Sequence, residues 1–79
     1  MSNEIVMPKL SDTMEEGKII RWLKHPGDFI HHGEPIAEVE TDKAVQEVEC
    51  IANGVLQSIL VPAGTKVSVG TIIATIKVG

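Results

Sequence analysis

Short runs of alternating apolar and polar residues, separated by turns, dominate the chain. The runs are rich in Val and Ile, whose β-branched side chains favour strands. They span residues 5–8, 18–23, 35–41, 45–50, 55–61 and 71–78. Turns containing glycine and proline lie between them, and no stretch keeps a helical period for long. The pattern therefore predicts an all-β fold, a small sandwich or flattened barrel of short strands.

The two halves of the chain repeat the same plan. A shift of 37 residues aligns 17–42 with 54–79 without gaps. Chance gives about one or two identities over such a length, whereas six pairs are found. They are Gly17/Gly54, Leu23/Leu60, Gly27/Gly64, Gly33/Gly70, Ile36/Ile73 and Ala37/Ala74. Two copies are too few for a solenoid, so we predict two interlocked halves related by a pseudo-twofold axis.

The connection between the first two strands of each half is the one place where the halves differ. Residues 9–16 form it in the first half, and residues 51–53 form it in the second. Exposed loops carry function more often than the strands they join. The longer loop is therefore a candidate recognition site.

The alternation on either side of Asp42 and Lys43 predicts a hairpin with these two residues at its tip. This even-numbered loop separates an apolar face from an acidic one, whereas a slip of one residue would mix the two faces. The predicted pairs on the apolar face are Thr41/Ala44, Val39/Gln46, Ala37/Val48 and Pro35/Cys50. The predicted pairs on the water-facing, acidic side are Glu40/Val45, Glu38/Glu47 and Ile36/Glu49.

The tip itself limits the type of turn. Neither Asp42 nor Lys43 adopts a positive φ readily, so we expect type I geometry rather than a primed hairpin turn. Lys43 then lies in solvent near the middle of the chain. The hairpin alone leaves two interpretations open, a solvated surface lysine or an attachment point. The acidic strands beside it are equally open, since they either dock a partner or protect sheet edges from aggregation.

Length and charge exclude several classes of protein. The 79 residues predict a single domain, 1–79. The net charge of −4 argues against nucleic-acid binding, which needs clustered Lys and Arg. No apolar run approaches the roughly 20 residues of a membrane span. The single cysteine, Cys50, is predicted to lie in the core and fits a reducing compartment. We expect a cytoplasmic protein, or a mitochondrial-matrix protein in a eukaryote.

Candidate chemistry is otherwise sparse. His25, His31 and His32 lack the spacing of metal ligands, because neighbours on a strand point to opposite faces, and we predict no metal site. No nucleophile or acid–base constellation is recognisable, so we expect a non-catalytic unit rather than an independent enzyme. Met7 and Met14 fit either core packing or loop contacts.

The residues around Lys43 resemble a known attachment motif. Glu40-Thr41-Asp42-Lys43-Ala44 is similar to the lipoylation motif of lipoyl domains in 2-oxo acid dehydrogenase complexes. The resemblance covers essentially the whole chain and is greatest to the pyruvate dehydrogenase branch of the family. It also includes Met7-Pro8-Lys9-Leu10-Ser11-Asp12-Thr13-Met14, Gly17, Trp22, Gly27-Asp28, Gly33-Glu34 and Ile36-Ala37-Glu38. The resemblance implies a flattened sandwich of two four-stranded antiparallel sheets that presents the lysine at a turn.

The resemblance also implies a cofactor and partners. Lys43 is expected to carry lipoate as an amide, with Asp42 and Ala44 as its turn neighbours. The loaded domain is then a swinging arm that moves acyl groups and electrons between a thiamine-dependent decarboxylase, an acyltransferase core and dihydrolipoyl dehydrogenase. A lipoate ligase or lipoyltransferase loads the lysine. Because the 9–16 loop lies near the modified turn in lipoyl domains, the candidates for partner recognition are Ser11, Asp12, Thr13, Met14 and Glu40.

Alternatives to the lipoyl interpretation stay open. A biotin carrier shares the fold and the exposed lysine, but such domains resemble Ala-Met-Lys-Met at the turn, where Asp42 and Ala44 stand in this chain. An unmodified, lipoyl-like interaction module is a further alternative, although such modules usually lack the Asp-Lys-Ala turn. Among the complexes, the 7–14 stretch favours pyruvate dehydrogenase, and the acetoin and branched-chain complexes stay open.

Overall fold

Eight β-strands make up the fold. The computed structural model describes residues 2–78, and no helix in that range is long and apolar enough to cross a membrane. The strands are β1 (Ser2–Val6), β2 (Glu16–Trp22), β3 (Phe29–Ile30), β4 (Pro35–Glu40), β5 (Val45–Glu49), β6 (Gly54–Ile59), β7 (Lys66–Ser68) and β8 (Ile72–Lys77).

The strands form two four-stranded antiparallel sheets. One has the order β1-β8-β6-β3 and is called the terminal sheet, because it contains both ends of the described chain. The other has the order β5-β4-β2-β7 and is called the hairpin sheet, because the β4–β5 hairpin carries Lys43 at its tip. Exchanging β1 with β5, β8 with β4, β6 with β2 and β3 with β7 converts one order into the other. The predicted all-β sandwich and its pseudo-twofold symmetry are confirmed.

Backbone hydrogen bonds repeat with the same symmetry. Leu23 N donates to Ile36 O over 2.8 Å, and the equivalent Leu60 N donates to Ile73 O over 2.9 Å. The glycines of the repeat also match in conformation, because each takes the left-handed backbone that side chains disfavour. Their φ values are 98° at Gly27, 88° at Gly33, 91° at Gly64 and 92° at Gly70. The repeated turn residues therefore impose the same chain path twice.

The core lies between the two sheets and is aliphatic. Its largest fully buried side chains are Met7, Ile19, Ile30, Ile36, Val39, Leu56, Ile73 and Ile76. Full burial of each such side chain stabilises the fold by roughly 1.5–3 kcal/mol. Cys50 is also buried, as predicted, and its Sγ lies 3.1 Å from the carbonyl oxygen of Ala52. None of the buried residues described is polar or charged, so the core contains no side-chain N or O atom that lacks a hydrogen-bond partner.

The hairpin register is confirmed near the tip and wrong at its base. Glu40 pairs with Val45, and the pairs from there to Ala37 and Val48 are as predicted. A bulge then shifts the register, so that Pro35 pairs with Glu49 instead of Cys50. The bulge points two consecutive residues inward, as bulges do when they add one residue to a strand. Ile36, which was predicted to face water opposite Glu49, is therefore fully buried.

The first strand begins earlier than predicted. Its expected range was 5–8, whereas β1 spans Ser2–Val6 and pairs with β8 from Ser2 opposite Lys77 to Val6 opposite Ile72. The start of this edge strand was missed because its residues are polar and do not continue the alternation of apolar and polar positions. The strand ends before Met7, whose side chain is buried in the core.

Candidate functional site

The turn between β4 and β5 is held by its own threonine. Thr41 N donates to Ala44 O over 2.8 Å, and Thr41 Oγ1 donates to the same carbonyl over 2.9 Å. Thr41 Oγ1 also accepts from Lys43 N at 3.2 Å and from Ala44 N at 3.1 Å. No described residue other than glycine has a positive φ, which excludes a primed turn as predicted. The backbone that carries Lys43 is therefore fixed from inside the hairpin.

The Lys43 side chain is exposed at the tip. Within the described residues its ammonium has no hydrogen-bond or ion-pair partner. Its neighbours Asp42 and Ala44 are exposed as well, and Ala44 offers only a methyl group beside it. A free, accessible primary amine without a competing partner fits covalent attachment of an acyl group as an amide. The Lys43 amine is thus accessible from solvent, and it makes no hydrogen bond or ion pair within the described residues.

The long loop reaches the same turn from the other side. Ser11 Oγ donates to Asp42 Oδ1 over 2.9 Å, and Thr13 Oγ1 donates to Asp42 Oδ2. The bonds from Thr13 and then Ser11 hold the pKa of the Asp42 carboxyl below its ordinary value, because they favour the charged form. The predicted proximity of loop and turn is confirmed. Both oxygens of the carboxylate next to Lys43 are therefore directed to hydroxyl groups of the loop.

Met14 anchors this loop in the core, which corrects its predicted role. Its side chain is only 3% exposed, so it is not available as the apolar partner contact that the sequence suggested. Met14 Sδ lies 3.2 Å from Leu10 N, and Met14 N donates to Ser11 O over 3.2 Å. Gly17 leaves room for the methyl group of Met14, since a Cβ there would lie 2.7 Å from Met14 Cε.

The other predicted recognition residues lie on the surface around the turn. Asp12 is exposed between the two hydroxyl residues, and its side chain has no partner within the described residues. Glu40 is exposed on β4, opposite Lys18 and Val45. Sequence reasoning missed the structural role of Thr41. Its signal was available, because threonine hydroxyls often bond to backbone groups in turns.

The strands of the two sheets differ in charge. Those of the hairpin sheet carry five carboxylates and three cationic groups, whereas those of the terminal sheet carry one of each. The hairpin-sheet residues are Glu16, Glu38, Glu40, Glu47, Glu49, Lys18, Arg21 and Lys66. Arg21 Nε is paired with Glu38 Oε1 at 2.7 Å. The acidic surface predicted beside Lys43 is therefore present, although cations of β2 and β7 partly balance it.

Two of the depressions on the described surface bear on the site. The larger, of about 460 Å³, is an apolar cleft between the edge strands β1 and β5, and residues 41–44 do not line it. The smaller, of about 190 Å³, lies beside the turn and includes Thr41, Asp42 and Lys66 among its lining residues. No group of three or more potential metal ligands occurs within residues 2–78. The site is thus a presented lysine rather than an enclosed pocket.

Comparison with known families agrees with this geometry. The model of the family described as "Biotin-requiring enzyme", the biotin/lipoyl attachment domains, matches residues 3–76. This chain belongs to that family. Its lipoyl members carry lipoate covalently on a lysine and act as non-catalytic carrier domains.

Known structures and sequences identify the lipoyl branch. The solution structure of the lipoyl domain of the 2-oxoglutarate dehydrogenase complex from Azotobacter vinelandii has a TM-score of 0.76 and 32% identity, and each chain covers 96% of the other. The chain is 51% identical to the pyruvate dehydrogenase E1 component subunit beta of Rhizobium meliloti. It is 49% identical to the dihydrolipoyllysine-residue acetyltransferase component of the pyruvate dehydrogenase complex of Rickettsia bellii. Both matches cover 96% of this chain, which spans only 17% and 18% of these relatives.

Proposed function

We propose that Lys43 carries lipoate in amide linkage and that the domain delivers acyl groups and electrons within a 2-oxo acid dehydrogenase complex. The observation that carries this proposal is the exposed Lys43 ammonium, which has no partner within residues 2–78 and extends from a turn fixed on both sides. The lipoyl branch of the family supports lipoate as the attached group. The bulky Met residues expected beside the lysine of a biotin carrier are absent, since Asp42 and Ala44 stand there.

Loading of Lys43 needs help from outside the domain. Free lysine amines are almost entirely protonated at neutral pH and are then not nucleophilic. Asp42 is the nearest carboxylate in sequence, but its oxygens accept hydrogen bonds from Ser11 and Thr13 and form no hydrogen bond or ion pair with Lys43. The base that takes the proton and the activated acyl donor therefore belong to a lipoate ligase or lipoyltransferase that recognises the exposed turn.

After loading, the folded domain holds the turn in place, and the lipoyl-lysine arm moves. When bound, lipoate supplies a strained cyclic disulfide that takes up an acyl group together with two electrons. Thr41 holds the backbone of the turn, so movement is confined to the bonds beyond the Lys43 Cα. These bonds give a reach of roughly 14 Å. A tethered group with this reach raises its effective concentration at each active site it visits.

The partners follow from the same assignment. The proposed ones are a thiamine-dependent decarboxylase, an acyltransferase core and dihydrolipoyl dehydrogenase. Asp12 and Glu40 are candidates for direct contact beside the lysine, because both are exposed and neither is bonded to Asp42 as Ser11 and Thr13 are. Pyruvate dehydrogenase is the favoured complex, because the names of the E1 beta-subunit and acetyltransferase relatives both specify it. A 2-oxoglutarate complex is the second candidate, since the succinyltransferase component of Bacillus subtilis is 46% identical over 96% of this chain.

Intact-mass measurement after expression with lipoate tests the proposal. We expect wild-type protein to gain about 188 Da, whereas Lys43→Arg gains nothing because arginine cannot form the amide under these conditions. Lys77→Arg is the matched control, because Lys77 is an exposed lysine at the end of β8, and it should load like the wild type. A gain of about 226 Da would identify biotin instead. Lipoylation of the Lys43→Arg protein would remove Lys43 as the attachment point.

A further inference from the structure

The carboxylate of Asp42 is engaged in an unusual way for an exposed residue next to a lysine. Its two oxygens accept from two hydroxyl groups, Ser11 Oγ and Thr13 Oγ1, that lie about thirty residues away in sequence. Hydrogen bonds to a charged acceptor are roughly twice as strong as neutral ones. The pair of bonds therefore restrains Asp42 from a second direction, in addition to the restraint that Thr41 applies within the hairpin.

The loop that supplies these hydroxyls is itself fixed to the core. Met14 is buried next to Thr13, and its sulfur lies 3.2 Å from the backbone N of Leu10. Gly17 leaves room for this anchor, since a Cβ there would lie 2.7 Å from Met14 Cε and would displace it. The segment 10–14 is thus a short brace between the core and the turn. The equivalent connection of the second half, residues 51–53, is too short to form one.

We propose that Ser11 and Thr13 are positioning residues that lock the Lys43 turn onto the loop, so that both meet the decarboxylase as one rigid surface. This inference rests on the proposed carrier function. Ordering interface side chains on binding costs conformational entropy, and a surface that is ordered beforehand avoids this cost. Misplacing a reacting group by a small distance also lowers the rate of transfer strongly. Loading happens once per molecule and can go to completion even when slow, whereas acylation recurs in every catalytic cycle.

Measurements on the unmodified protein test the lock without any enzyme. The variant Ser11→Ala/Thr13→Val removes both hydroxyls. The matched control Ser58→Ala/Thr75→Val removes the same two groups from β6 and β8 of the terminal sheet, where neither side chain has a partner within the described residues. In the first variant alone, we expect NMR titration to show the pKa of Asp42 rising towards its ordinary value. We also expect amide exchange of residues 41–44 to become faster. Unchanged titration and exchange would overturn the proposal.

Acylation of the loaded proteins tests the consequence of the lock. The readout is kcat/KM for reductive acetylation by a bacterial pyruvate dehydrogenase E1 component with pyruvate, after mass spectrometry has confirmed full lipoylation. We expect at least a tenfold decrease for the variant without hydroxyls, about 1.4 kcal/mol of transition-state stabilisation. The terminal-sheet control should match the wild type, and Ser11→Thr/Thr13→Ser should recover most of the rate because it keeps both hydroxyls.

The outcomes separate this inference from the function on which it rests. Wild-type protein that is never lipoylated or never acetylated would refute the proposed function, while titration and exchange would still decide whether the hydroxyls restrain the turn. A mobile turn with an unchanged acetylation rate would overturn the positioning role. Loss of rate without recovery in the variant that keeps both hydroxyls would overturn it too, since the effect would then come from the shape of the loop.

Discussion

The two equivalent connections of the fold differ in length and in what they do. They start at Met7 and Cys50, whose backbone hydrogen bonds correspond: Met7 bonds to Gly70 and Thr71, and Cys50 bonds to the equivalent Gly33 and Glu34. They end at Gly17 and Gly54. The second connection crosses this distance with residues 51–53 and leaves Ile51 86% exposed. The first uses residues 8–16, buries Met14 and reaches Asp42. The comparison shows that three residues are enough for the fold, so the additional length serves the turn.

The ends of the two sheets show the same contrast. Glu40 pairs with Val45 just before the Lys43 turn, and Lys77 pairs with Ser2 at the corresponding place in the terminal sheet. From Ser2, the chain runs along β1 to the loop that contacts Asp42. The described chain ends therefore lie at the end of β1 remote from the loop and the lysine turn. The lysine turn and the described chain ends thus lie at opposite ends of the fold.

The largest stability difference should appear between the two connections. Met14→Ala removes a buried side chain and should lower the free energy of unfolding by about 2–5 kcal/mol, as for other large-to-small core changes. Ile51→Ala removes an apolar side chain of the shorter connection that is 86% exposed, and should stay within about 0.5 kcal/mol of the wild type. Urea unfolding measures both. Similar losses in the two variants would contradict the anchoring role of Met14.

A smaller difference is expected between the equivalent glycines. In Gly54→Ala the new Cβ meets the backbone carbonyl of Lys77, which the sheet holds in place, and the cost should be at the upper end of about 1–3 kcal/mol. In Gly17→Ala it meets the side-chain ends of Met14 and Val39, 2.7 and 2.8 Å away, which can move aside. The melting temperature of Gly54→Ala should therefore be lower than that of Gly17→Ala in thermal unfolding. The reverse order would show that the loop anchor is stiffer than the sheet.

The smallest effect concerns acid. Glu34 accepts from His31 N over 2.7 Å and pairs with Lys24 over 3.0 Å, and these contacts lower its pKa from 4.5 to about 2. A lowered pKa contributes stability above pH 4.5 that is lost as the pH falls towards 2. Thr71 stands at the equivalent position of the second half, so the second half has no titrating carboxylate there.

Glu34→Gln should therefore flatten the fall of the melting temperature between these pH values. Glu4→Gln, a change at an exposed carboxylate without a partner in the described chain, should leave that fall as in the wild type. Parallel curves for Glu34→Gln and the wild type would show that the contacts of Glu34 add no stability.

The internal repeat explains why so much of the fold was predictable. Its glycine positions and strand alternation led to the correct pseudo-twofold arrangement and to the correct hairpin register near Lys43. The bulge at Ile36 was missed, because period-two alternation does not reveal an extra residue. The identical Ile-Ala pairs of the repeat were a signal for it, since Ile36 and Ile73 lie at matching bulges.

The site was predictable in part, because its essential element is local. A lysine at the tip of a regular hairpin must project into solvent, so Lys43 followed from the strand pattern and the attachment motif. The bonds from Ser11 and Thr13 to Asp42 depend on how a loop folds across another element, and no periodicity encodes that. Met14 was ambiguous for the same reason, since a single apolar residue in a polar loop fits either the core or a partner.

The uneven charge of the two layers has a consequence for how the domain meets other proteins. The excess of carboxylates on the strands of the hairpin sheet, against one acid and one base on the strands of the terminal sheet, makes the two layers an electric dipole. A positively charged partner exerts a torque on such a dipole before contact and turns the hairpin sheet towards itself. Steering of this kind raises association rates more than it prolongs complexes. It acts over a distance that salt limits to about 8 Å at physiological ionic strength.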